Sequence, residues 1–160
     1  MSDSVPDISA QEVYGIHVAP VSGLPADYPA AGEQKLASRL DTVAIVDDDI
    51  SVCDSLAVFL ETCGFATRSY TSGAEFLGDE HRCQVDCLIL DQHMPRMDGL
   101  DLLAALKAQD IQVPAILITG RLDSAISERA DQPGVIAILE KPFPAAPLGD
   151  LIRGAVHGRS

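Results

Sequence analysis

Asp47, Asp48, Asp91, Thr119 and Lys141 each stand within two residues of the end of an apolar run, and together their side chains suit the handling of phosphate beside a divalent cation. The run Cys87-Leu88-Ile89-Leu90 stops at Asp91, and Val43-Ala44-Ile45-Val46 stops at Asp47-Asp48-Asp49. Carboxylates gathered within a few ångströms oppose one another's ionisation unless a cation sits among them. Hard oxygen ligands of this kind suit Mg²⁺, which binds through one or two carboxylates, keeps several waters and takes further ligands from phosphate. An ionised carboxylate is also a usable nucleophile toward phosphorus once its charge is offset, giving an aspartyl phosphate. The ammonium of Lys141 and the hydroxyl of Thr119 would hold the remaining phosphoryl oxygens. No general base is required.

These residues meet only if the elements before them share one orientation. Cys87 to Leu90 lacks polar alternation, as expected of a strand buried on both faces in a parallel sheet. From Thr42 onward, short apolar runs alternate with amphipathic segments. Val52, Leu56, Phe59, Leu60 and Cys63 make one helical face, stopped by Gly64. Phe65 to Tyr70 reads as a more polar strand near an edge, and Ser72-Gly73-Ala74-Glu75 has capping-box spacing for a short helix. Met97-Asp98-Gly99 is turn chemistry ahead of a helix over Leu100 to Ala108. Val113 to Thr119 and Val135 to Glu140 are further strands, with helices at about Asp123 to Ala130 and Pro147 to Val156. The pattern predicts an α/β fold: a five-stranded parallel sheet, doubly wound in the flavodoxin-like order 2-1-3-4-5, with five helices. Right-handed crossovers then bring all five functional side chains to one rim.

Residues 1–40 read differently. Pro6, Pro20, Pro25 and Pro29 interrupt them, and no apolar period lasts two turns. We expect a largely irregular extension ahead of a domain over 41–160. The exception is Val13-Tyr14-Gly15-Ile16-His17-Val18, whose alternation allows a short strand or a docking strip.

Composition narrows the partners. A net charge of −13, with 11 Lys and Arg in no cluster, argues against nucleic acid, which demands clustered cations. No stretch approaches the ~18 apolar residues of a membrane span. Cys53, Cys63, Cys83 and Cys87 follow no recognisable secretory signal, so reduced cytoplasmic thiols are expected. His81, Cys83, Cys87 and His93 lack the paired spacing of a zinc site.

The sequence resembles the receiver domains of bacterial two-component response regulators from about Thr42 to Val156. The resemblance rests on Val46-Asp47-Asp48-Asp49, on Asp91 with Met94-Pro95 and Met97-Asp98-Gly99, on Thr119-Gly120, and on Lys141-Pro142-Phe143. It implies that Asp91 accepts a phosphoryl group from a histidine kinase or phosphotransfer protein. Asp47 and Asp48 would bind Mg²⁺ together with Asp91 and the backbone carbonyl of His93. Thr119 would close on the phosphoryl group, and Lys141 would pair with it next to a cis peptide at Pro142. Such a protein is no enzyme in its own right, but a phosphoacceptor that takes part in its own phosphorylation and dephosphorylation. The resemblance also implies a homodimer through the fourth helix, fifth strand and fifth helix of the domain.

Two features depart from the family pattern. Position 138, three residues before the lysine, usually holds an aromatic ring and holds Ile138, which cannot swing a polar ring between core and surface. Pro144 follows Phe143 and alters the start of the last helix. The sequence ends soon after that helix, so signalling by protein contact or phosphate relay is expected rather than DNA binding. A rival reading is a non-cycling receiver serving as a constitutive binding module. A haloacid-dehalogenase-like phosphatase would need an acid where His93 stands.

Overall fold

The computed structural model describes residues 16–18 and 40–157; the rest of the extension expected over 1–40 lies outside them. In chain order the elements are β1 (Ile16–Val18), β2 (Thr42–Val46), α1 (Ile50–Thr62), β3 (Ala66–Tyr70), α2 (Gly73–Leu77), a 3₁₀ turn (Arg82–Gln84), β4 (Cys87–Asp91), α3 (Gly99–Ala108), β5 (Ala115–Thr119), α4 (Ser124–Ala130), β6 (Val135–Glu140) and α5 (Ala146–His157).

The sheet runs β1-β6-β5-β4-β2-β3. Strands β3, β2, β4, β5 and β6 are all parallel, which is the expected order 2-1-3-4-5 counted from Thr42. The short β1 adds a sixth, antiparallel strand on the outside of β6. Of the two readings open for that stretch, the structure takes the strand. Ala115 rather than Val113 opens β5, because Pro114 has no N–H for the ladder, although its carbonyl still accepts from Leu88 N at 2.9 Å.

Period two along the buried strands feeds two cores. Val43, Ile45, Ile89, Ile116 and Ile118 pack with Leu56 and Leu60 of α1 and with Leu148 and Ile152 of α5. Ala44, Val46, Leu88, Leu90 and Leu117 face the other way, onto Phe76 of α2, Leu102 and Leu106 of α3 and Ile126 of α4. Burial on both faces is why β4, β5 and β2 after Thr42 carry continuous apolar runs, broken by a polar residue only at the carboxyl rim. At the opposite rim, His157 Nε2 at the end of α5 lies 2.6 Å from Asp41 Oδ2, just ahead of β2.

Candidate functional site: an acidic cluster with a lysine

Parallel pairing of β2 with β4 puts Val46 opposite Leu90, so Asp47 and Asp91 leave adjacent strands at one level. Asp47, Asp48 and Asp91 each offer a carboxylate oxygen within 4.8 Å of the others. Asp47 and Asp91 are buried and Asp48 is exposed. Lys141, one residue past β6, extends its ammonium to 3.6 Å from Asp47 Oδ2 and 3.6 Å from Asp91 Oδ1. The Lys141–Pro142 peptide is cis, and Lys141 N donates to Thr119 O at 2.8 Å, which ties the end of β6 to the end of β5.

The electrostatics follow from burial. Asp91 is pushed up to about 6, chiefly by desolvation and next by the charge of Asp47, with Lys141 and the His93 N–H opposing. Desolvation also raises Asp47, against a hydrogen bond from Asp49 N to its Oδ1 at 2.9 Å and the Lys141 charge. Asp47 Oδ2 is buried and makes no hydrogen bond. One ammonium thus faces three acids, and Asp47 Oδ2 has only the Lys141 ion pair in place of a hydrogen bond. This donor set fits a hard divalent cation, for which Asp47, Asp48 and Asp91 supply oxygen ligands.

The third acid of the triplet has a different task. Asp49 is the N-cap of α1, with Oδ1 accepting from Ser51 N at 3.0 Å and from Ser51 Oγ at 2.6 Å. The spacing Asp49-Ile50-Ser51 ahead of an amphipathic run carried that signal in the sequence.

Thr119 is fully buried at the end of β5. Its hydroxyl donates to Arg121 O at 2.9 Å, accepts from Arg121 N at 3.2 Å and meets His93 Nε2 at 2.8 Å. The sequence reading gave His93 only a backbone part, and the structure adds its imidazole to the site. His93 N also approaches Asp91 Oδ1, at 3.4 Å. Ile138 lies in β6 and is buried.

Gln92, unnoticed in the sequence, and Gly99, read there as turn chemistry, shape the loop after Asp91. Gln92 is buried, and its Oε1 accepts from Leu100 N at 3.0 Å, which fastens the start of α3 to the end of β4. Gly99 packs so closely that a Cβ there would meet Asp91 O and Leu117 Cδ1, both at 2.9 Å. Asp98 caps α3 through a capping box with Asp101, and Arg129 of α4 holds Asp98 Oδ2 at 3.2 Å.

The considered zinc ligands do not assemble. All four cysteines are free, Cys87 is buried within β4 with its thiol pushed up to about 12, and Cys53 under Asp47 O is pushed up to about 11. Among the described residues no helix is long and apolar enough to cross a membrane.

Comparison with known proteins agrees with this architecture. TodT, a response regulator protein of Pseudomonas putida, is 34% identical over 133 residues, covering 82% of this chain and 59% of that protein. The transcriptional regulatory protein FixJ of Azorhizobium caulinodans is 36% identical over 118 residues, covering 74% of this chain and 56% of that protein. The chain therefore spans less than two thirds of the length of these relatives. Among solved structures, FixJ-N superposes with a TM-score of 0.65 at 35% identity, over 74% of this chain and 94% of the other. Vibrio cholerae CheY4, at 23% identity and a TM-score of 0.65 over 73% of this chain and 99% of the other, shares the fold. The family model for the response regulator receiver domain matches residues 43–153, the stretch that runs from Val43 of β2 into α5 and contains the whole acidic cluster, and the chain belongs to that family.

Proposed function

We propose that Asp91 is the phosphoacceptor of a two-component pathway and takes its phosphoryl group from a histidine kinase or a phosphotransfer protein. An Asp91 carboxylate oxygen attacks phosphorus, the bond to the donor's histidine nitrogen breaks, and an acyl phosphate forms; water later cleaves it and restores the carboxylate. Asp47, Asp48, Asp91 and the backbone carbonyl of His93 would hold Mg²⁺, which when bound offsets the negative charge of acceptor and phosphoryl group. Lys141 binds a phosphoryl oxygen. Thr119 leaves its present partners and donates its hydroxyl to another. The observation that carries this reading is one ammonium 3.6 Å from both Asp47 and Asp91 in a buried, cation-poor cluster of acids.

The output is contact with other proteins or onward transfer of the phosphoryl group. A net charge of −13 disfavours direct contact of this chain with nucleic acid. The surface formed by α4, β6 and α5 is the proposed contact and dimer face. The free thiols fit a reducing, cytoplasmic setting.

The test is intact-mass measurement after incubation with Mg²⁺ and acetyl phosphate. Wild type should gain one phosphate and Asp91→Asn none. A second reading, a non-cycling receiver used as a fixed binding module, is favoured by Ile138 and by the three hydrogen bonds that occupy Thr119. It requires that neither protein take up phosphate.

A further inference from the structure

The two borders of the parallel sheet differ. On one side β3 reads Ala66-Thr67-Arg68-Ser69-Tyr70, polar enough to discourage pairing with a stranger. On the other, β6 reads Val135-Ile136-Ala137-Ile138-Leu139 with no charge before Glu140. An apolar edge strand with unpaired N–H and C=O groups is a template for another chain. In this protein β1 fills it, with Ile16 opposite Leu139, His17 opposite Ile138 and Val18 opposite Ala137.

The geometry lets the chain do this to itself. Because β1 is antiparallel to β6, Val18 lies toward the amino end of β6, the rim at which Asp41 leads into β2. β6 and β2 stand three strand spacings apart in the sheet, about 15 Å. The 22 residues between Val18 and Asp41 could span up to about 70 Å if extended. The connection is therefore long enough for β1 to reach β6 of its own chain. Among the described residues three pairs hold it, few enough that it can open without disturbing the sheet.

We propose that Ile16–Val18 is a self-docked cap on β6, and that it excludes a second copy of this chain from pairing there. A second copy is the fitting occupant because two β6 edges laid antiparallel about a two-fold axis present the same apolar residues to each other. The inference rests on the proposed function only in taking the α4–β6–α5 face as the contact surface; docking of the cap requires no phosphate.

The test uses the full-length chain and two variants, His17→Pro and Ile16→Pro/Val18→Pro. Along an antiparallel strand alternate N–H groups face the neighbour, so one of the two variants must remove ladder bonds. Hydrogen–deuterium exchange is followed at residues 137–139, and self-association by sedimentation over a range of concentrations, all without phosphate. The wild type should protect the outward amides of β6 at every concentration and stay monomeric. The disrupting variant should lose at least tenfold of that protection when dilute and self-associate at least tenfold more tightly. Equal exchange in all three proteins would show that β1 is not docked. Protection that grows with wild-type concentration would put β1 on a partner copy, and unchanged self-association would remove the exclusion; either result overturns the proposal. Failure of phosphate uptake by Asp91 would bear on the earlier reading alone and leave these measurements standing.

Discussion

His93 donates from Nε2 to the hydroxyl of Thr119 across 2.8 Å. The direction follows from the neighbours. A threonine hydroxyl has one proton, and the Arg121 carbonyl 2.9 Å away can only accept it. The imidazole must then supply its own proton to the bond.

On the proposed function the His93 bond must break before Thr119 can reach a phosphoryl group on Asp91, so its removal should favour the phosphorylated form. With one hydrogen bond contributing about 1 kcal/mol, His93→Ala should raise the ratio of phosphorylated to free protein roughly fivefold at fixed acetyl phosphate and Mg²⁺. Intact-mass spectra taken at steady state give that ratio directly. A ratio equal to wild type would mean that Thr119 is not restrained by the imidazole.

The raised Asp91 sets a pH dependence. A native value of about 6 lies above the unfolded one, so the folded chain keeps a proton that the unfolded chain has released, and stability falls as pH rises from about 4 through about 6. Asp91→Asn cannot ionise. Without divalent cation it should be more stable than wild type at about pH 7.5, by on the order of 1–2 kcal/mol. Below about pH 4 the two should converge. Urea unfolding at both pH values reads the difference, and a less stable variant near neutrality would contradict the electrostatics of the cluster.

Cation binding should reverse that cost. Mg²⁺ severalfold above its dissociation constant should stabilise wild type by about 1 kcal/mol through mass action. Asp47→Asn, which loses a charge at the cluster, should show a much smaller gain over the same range. Thermal melts across a Mg²⁺ titration compare the two, and equal gains would place the ion elsewhere.

At position 99 the space is already taken. A Cβ would press on the backbone of Asp91 and on Leu117 at 2.9 Å, and backbone cannot move aside cheaply. Gly99→Ala should cost about 1–3 kcal/mol, the usual range for overpacking a tight site, and should also slow phosphate uptake because the strain falls on Asp91. Full stability would show that the loop yields more easily than its packing suggests.

The sheet was legible because its strands are covered on both faces: Cys87–Leu90 and Val43–Val46 could be neither amphipathic helices nor half-exposed strands. Their polar ends therefore announced a common rim. What escaped the sequence depended on distances through space. His93 and Thr119 are 26 residues apart in the chain, and no pattern announces that an imidazole will reach a hydroxyl. Asp49 was grouped with its two acidic neighbours although the nearby Ser51 marked it as a cap. The seating of Ile16–Val18 was open for another reason: alternation over Val13 to Val18 allowed a short strand, but its place is decided by which border of the sheet is left apolar.

The short link between His157 and Asp41 means that the domain is entered and left at nearly one point, on the far side of the sheet from the acids. Such an arrangement behaves like a cartridge with a single socket. A fluorescent reporter or a second module spliced at that point would travel with the domain yet stay a full strand length from the acidic cluster, which makes this corner the natural place to build a sensor from the molecule.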